Sequence, residues 1–173
     1  MRIAALIFAL SGLIFFLATF MPPRDRVENP PRVEVRAEQM GKEALLALYF
    51  ARADGLGLLA EKRRVQLKPG EPRLLAAFEA LAKGPETAGA APLWPRGLPA
   101  PRVFAGAGTV YIDLDPAYAR LPLGVRAESL LLYGLANTAL ANSDADEVRI
   151  LVGGAPRPVL VHLSLIEPFR RRR

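Results

Sequence analysis

Residues 108–118 read GTVYIDLDPAY. Thr109–Leu114 is a short apolar run rich in β-branched and aromatic residues, which predicts a strand. Side chains alternate along a strand, so Asp113 and Asp115, two positions apart, leave it on one face. Two readings compete. The pair is an acid/base or metal site, or the stretch is the junction where a strand stops and a helical turn starts. Acid/base work needs two carboxyls flanking a cleft, in surroundings that separate their pKa values, and a metal needs further ligands at fixed spacing. None is supplied nearby. Asp115–Pro116 has the form of an N-cap followed by proline at the first helical position. Asp115 is therefore expected to cap the turn DPAYAR, and Asp113 to bond backbone N–H groups of adjoining loops. On this reading the chain is not an enzyme. A hydrolase using both carboxylates is the least favoured alternative.

Working outward, Leu45–Phe50 (LLALYF) and Leu58–Leu67 (LLAEKRRVQL) predict a hairpin turning at Asp54–Gly55, with the charges of the second strand on one side. PGEPRLLAAFEALAKGP predicts a helix. Pro72 suits its first turn, Leu74, Leu75, Phe78, Leu81 and Ala82 form its stripe, and Gly84–Pro85 stop it. A loop rich in Ala, Pro and Gly follows, with the only tryptophan, Trp94. Trp94 is expected to fold over the sheet as core; the alternative is an exposed apolar contact patch with Leu93, Pro95 and Leu98. A second helix spans roughly Ala127–Asn142, with Leu131, Leu132, Leu135 and Leu140 facing the core. Glu147–Val152 is a strand, Gly153–Gly154 a turn, and Pro158–Leu165 (PVLVHLSL) a closing strand without charge. Strand, strand, helix, strand, helix, strand, strand predicts an α+β, two-layer domain: one mixed sheet of about four to five strands, two helices on one face.

Composition narrows the chemistry. The 173 residues contain no cysteine and one histidine, His162, which removes thiolate and multi-histidine metal sites. His162 reads as a surface or edge histidine. Asn137, inside an apolar helix, reads as a partly buried amide that satisfies backbone groups, with a pocket-facing role as the alternative. Gly106–Gly108 (GAG) is too short for a dinucleotide loop and precedes a strand. No cofactor is expected.

The net charge is +6, but Val27–Phe169 carries sixteen basic and sixteen acidic residues. The excess sits near the start and in Arg170–Arg173, so no basic stripe for nucleic acid is expected on the fold. Ile3–Met21 is a charge-free run of nineteen residues, long enough at about 1.5 Å per residue to cross a hydrocarbon core of about 30 Å. Residues 1–22 are read as an uncleaved signal anchor with the body outside the cytoplasm, and a cleaved signal peptide as the alternative. Residues 23–44 are read as an extended, proline-rich linker, 45–169 as the domain and 170–173 as a basic tail.

The elements LYFARADG, LLAEKRRVQ, AAFEALAKGP, GTVYIDLDPAY, LLLYGLANTAL, VRILVGG and LSLIEPF, in this order and spacing, resemble the GerMN domain, a module named from sporulation and germination proteins. The resemblance covers about Leu45–Phe169. It implies a compact α/β-type module, similar to ring-building motifs of envelope assemblies, that makes contacts outside the cytoplasm and carries no catalytic activity. The family position matching Asp115 is usually serine, another N-cap former. The family's Asp-Leu-Ser run near its end is Ser164–Ile166 here, which puts any polar site there in doubt. The expected partners are envelope proteins or further copies of the chain. A peptidoglycan- or carbohydrate-binding module, stacking sugars on Trp94 and Tyr111, is the alternative.

Overall fold

The computed structural model describes residues 41–171. Their elements are β1 (Glu43–Arg52), β2 (Leu58–Gln66), α1 (Arg73–Ala82), β3 (Ala90–Ala91), β4 (Arg102–Gly106), β5 (Thr109–Leu114), a 3-10 turn (Pro116–Arg120), α2 (Val125–Ala141), β6 (Glu147–Val152), β7 (Ala155–Pro156) and β8 (Phe169–Arg170). The class is α+β. The predicted signal anchor, residues 3–21, and most of the predicted linker lie outside the described residues. Among the described residues no helix is long and apolar enough to cross a membrane. β1 starts at Glu43, so the end of the predicted linker belongs to the first strand.

The predicted single sheet is two. β2-β1-β3 is antiparallel. The second sheet runs β4-β5-β6-β7 with β8 also on β6, and it is mixed, because β5 and β6 are parallel while the other pairs are antiparallel. Parallel neighbours need a long crossover, and α2 supplies it. What separates the sheets is the far edge of β1. Thr138 Oγ1 accepts the Tyr49 N–H at 3.0 Å. Asn142 Oδ1 accepts the Ala47 N–H at 3.2 Å, and its Nδ2 donates to Ala47 O at 2.7 Å. Arg73 donates to Leu45 O from the start of α1. Helix side chains thus fill the place a neighbouring strand would take, one of the ways an edge is covered.

Both helices touch both sheets, α1 at β1 and β4, α2 at β1, β5 and β6, so they do not lie on one face of a single sheet. Leu46, Leu48 and Phe50 of β1, Val110, Ile112 and Leu114 of β5, and Val148 and Ile150 of β6 meet the helices in the core. The placement also corrects the expected one-stripe pattern: from Glu128 to Ala141 only Tyr133 of α2 is exposed. On α1, Leu74, Phe78 and Leu81 are buried as read, whereas Leu75 and Ala82 face out and Ala76, Ala77 and Ala80 go inward.

The predicted closing strand does not form. Pro158–Leu165 is a looped segment with a single bridge, Val159 to Ser164. Its backbone is held by Glu128, which is completely buried. Glu128 Oε1 accepts the N–H groups of Val161 (2.9 Å) and Leu163 (3.1 Å), and Oε2 that of His162 (2.8 Å). Three N–H groups converging on one carboxylate require a curled backbone, so the run cannot also pair as a strand. Instead β7 and β8 close the sheet, and two residues of the predicted basic tail belong to the fold. Arg170 lies in β8, and Arg171 donates to Leu140 O, Ser143 O and Ala145 O at the end of α2.

Candidate functional site

The carboxylates at the end of β5 come first. Asp113 is 3% exposed. One oxygen accepts from Arg102 of β4, and Oδ1 accepts the Gly154 N–H at 2.7 Å, tying β5 to the β6–β7 turn. Asp115 is the residue before the 3-10 turn, and its Oδ1 accepts the Ala117 N–H at 2.8 Å. Pro116 follows at the first position, and Tyr118, fully buried, donates its hydroxyl to Pro99 O at 2.9 Å. Burial, with Asp115 nearby adding to it, pushes the Tyr118 phenol well above its ordinary value. This end of the sheet is a hub of structural bonds.

A second charged cluster sits on β2, where the sequence suggested a solvated face. Glu61 and Arg63 are 5% and 8% exposed and form an ion pair. Arg63 also donates to Ala80 O (3.0 Å) and Gly84 O (2.9 Å), while Glu61 Oε2 accepts the N–H groups of Glu86 (2.9 Å) and Thr87 (2.8 Å). The pair thus closes the carbonyl end of α1, where such groups lack helical partners. Burial raises the Glu61 pKa, but the bonds from Thr87, Glu86 and Arg63 outweigh it and hold the carboxyl below its ordinary value. Gly84 and Pro85 lie in this stop, with Gly84 at φ 90°, where only glycine is unstrained.

Trp94 is half-buried against the core and edges a groove of about 440 Å³ with the Lys83–Pro85 stop. Its neighbour Leu93 reaches α2 at Gly134, where an added Cβ would stand 2.5 Å from a Leu93 methyl. Tyr111, the other proposed stacking face, is already stacked on Phe104 at 5.4 Å. Asn137 makes no backbone bond among the described residues. Thr138 and Asn142 do, and Asn137 lines a groove of about 780 Å³ with Tyr49, Tyr133 and Phe169. His162 lies in the Glu128-held loop, its Nε2 2.8 Å from Leu123 O. Among the described residues no group of three or more His, Asp or Glu could hold a metal.

One surface had no local signal strong enough to be read beforehand. β4 and β5 are joined by Ala107–Gly108, both at positive φ (49° and 75°), a two-residue turn whose twist suits a hairpin. The closing pair, Gly106 and Thr109, is the bonded kind in such a turn, and bonded and non-bonded pairs alternate. Val103 and Ala105 therefore aim their N–H and C=O groups away from β5. Among the described residues β4 has no second strand neighbour. Beside this edge a groove of about 590 Å³ runs between Leu75, Phe78 and Ala82 of α1 and Pro101 and Val103.

Comparison with known proteins places these features in a family. Residues 47–158, well over half of the chain, match the family described as "Germane: Sporulation and spore germination". The tandem GerMN domains of the sporulation protein GerM from Bacillus subtilis superpose with a TM-score of 0.60 at 13% identity, over 75% of this chain and 47% of that one. This chain thus spans about half the length of the tandem structure. The first GerMN domain of the same protein superposes at 0.56 with 15% identity, over 74% of this chain and 98% of that one. At such identities the likeness speaks for the fold. No curated protein matches the chain. The family match over residues 47–158, with the fold shared with the GerMN domains, shows that the chain has a GerMN-type domain and belongs to the Germane family.

Proposed function

We propose that the chain is a membrane-anchored, extracytoplasmic GerMN module without catalytic activity, which makes contacts with envelope proteins or further copies of itself. The observation that carries this reading is the open β4 edge beside the apolar α1–β4 groove. An unpaired edge offers main-chain groups for strand addition, and the flanking groove offers a seat for side chains. The non-catalytic part rests on the carboxylates: Asp113, Asp115, Glu61 and Glu128 each bond backbone N–H groups, and two of them an arginine as well. The anchor rests on the charge-free run Ile3–Met21. Holding protomers on a membrane raises their effective concentration, so a modest edge contact suffices for assembly.

The test is photo-crosslinking of the full-length chain in its native membrane, with the reactive group placed at Ala105 or, as control, at exposed Arg126. The reading predicts protein adducts from position 105, lost when Val103 is changed to Pro. Adducts equally strong from position 126, or none from 105, would contradict it.

A further inference from the structure

We infer that the groove lined by α2 and the C-terminal segment binds a neutral, amide-bearing oligosaccharide. This inference is independent of the β4 contact, which lies elsewhere on the domain. The groove holds about 780 Å³ and is lined by Tyr49, Leu58, Tyr133, Asn137, Leu140, Ala141 and the segment 167–171 with Ser164. That volume is within the usual range of small-ligand sites.

The groups facing it decide the ligand class. Of the main-chain groups of β1 beneath it, the Tyr49 N–H is taken by Thr138 and both polar groups of Ala47 by Asn142. An extended peptide adding as a strand therefore finds no edge there. For a phosphate or other polyanion, the two arginines that line the groove among the described residues are already engaged. Arg171 is engaged by three carbonyls at the end of α2, and Arg170 lies 3.5 Å from Glu147. What remains is aromatic surface and side-chain hydrogen bonding. Tyr133 is 53% exposed and fixed edge-to-face on Phe169 at 5.2 Å. One helical turn on, at i+4, the half-buried Asn137 amide has no hydrogen-bond partner among the described residues. Glu167 and Ser164 also line the groove and add carboxylate and hydroxyl groups.

Aromatic rings suit the C–H faces of a sugar, and an amide and a carboxylate suit its hydroxyls. Leu58, Leu140 and Pro168 line the same groove as the Asn137 amide, a pairing of apolar surface and amide that suits the methyl and the amide of an acetamido substituent. Sequence placed the stacking faces at Trp94 and Tyr111; this groove uses neither.

The experiment is calorimetric titration of the full-length chain with a β-1,4-linked tetramer of N-acetylglucosamine. A β-1,4-linked glucose tetramer and a phosphorylated peptide serve as comparisons. Binding of the first is expected, with a loss of roughly tenfold for Tyr133→Ala, for Asn137→Ala and for the glucose tetramer, each the weight of about one good contact. Both substituted positions leave the core, so an unchanged melting temperature separates lost binding from lost fold. No binding of the acetamido tetramer, binding that survives both substitutions, or preference for the peptide would overturn the inference. Failure of the β4 crosslink would leave this result untouched.

Discussion

At the residue scale, single polar side chains fix long stretches of backbone. Asp115 caps the turn after β5, so Asp115→Ala is expected to cost about 1 kcal/mol and Asp115→Ser only a few tenths, read by chemical denaturation. The capping role was legible because an Asp-Pro pair after an apolar run is local chemistry. Glu128 was not. An acidic residue in the first turn of a helix usually reads as a solvated partner of the helix dipole. Its three donors lie 33 to 35 residues away. Glu128→Gln replaces one acceptor oxygen with a donor facing an N–H group. It should lower stability by roughly 1–3 kcal/mol, with the loss of protection centred on Val161–Leu163 in amide exchange. Glu61 gives the molecule an acid limit. Its folded pKa lies below the ordinary 4.5, so its contribution is fully present above that value and is lost as pH falls through the depressed one. Melting temperature should decline on acidification below about pH 4.5, and Glu61→Gln should flatten that part of the profile at a lower overall stability. A slope unchanged by the substitution would refute this.

At the element scale, the hairpin, α1, β5 and β6 were legible because apolar runs of the right length sit near Gly or Pro punctuation, and α2 from its length and its leucines. β5 and β6 have the predicted bounds. Division into two sheets was hidden, since it depends on Thr138 and Asn142 reaching β1 across 89 and 95 residues. Periodicity reports which face of an element is apolar, not which partner fills an edge. Thr138→Val keeps the shape but leaves the part-buried Tyr49 N–H without its acceptor. The expected cost is about 1–3 kcal/mol, with faster exchange of that amide than of its β2-paired neighbours. Gly134→Ala forces Leu93 aside by bringing a methyl to 2.5 Å. Overpacking of this kind costs about 1–3 kcal/mol, and Leu93→Ala should restore much of it in the double variant. A double variant no more stable than Gly134→Ala would show that the clash is not the cause.

At the scale of the whole molecule, a net-neutral domain follows a charge-free segment, and its polar interior groups serve structure. Among the described residues the outer edge of β4 has no strand partner, and the outward direction of Val103 and Ala105 is set by the two-residue turn that follows them. On the proposed function, this edge is where the module meets its partner. Amide hydrogen exchange of Val103 and Ala105 tests it most directly, measured on the full-length chain in its native membrane and on the same chain dispersed in excess detergent. The account predicts that both amides exchange rapidly when dispersed and become protected in the membrane, while Phe104, paired to β5, stays protected in both. Equal, rapid exchange of Val103 and Ala105 in the native membrane would contradict it.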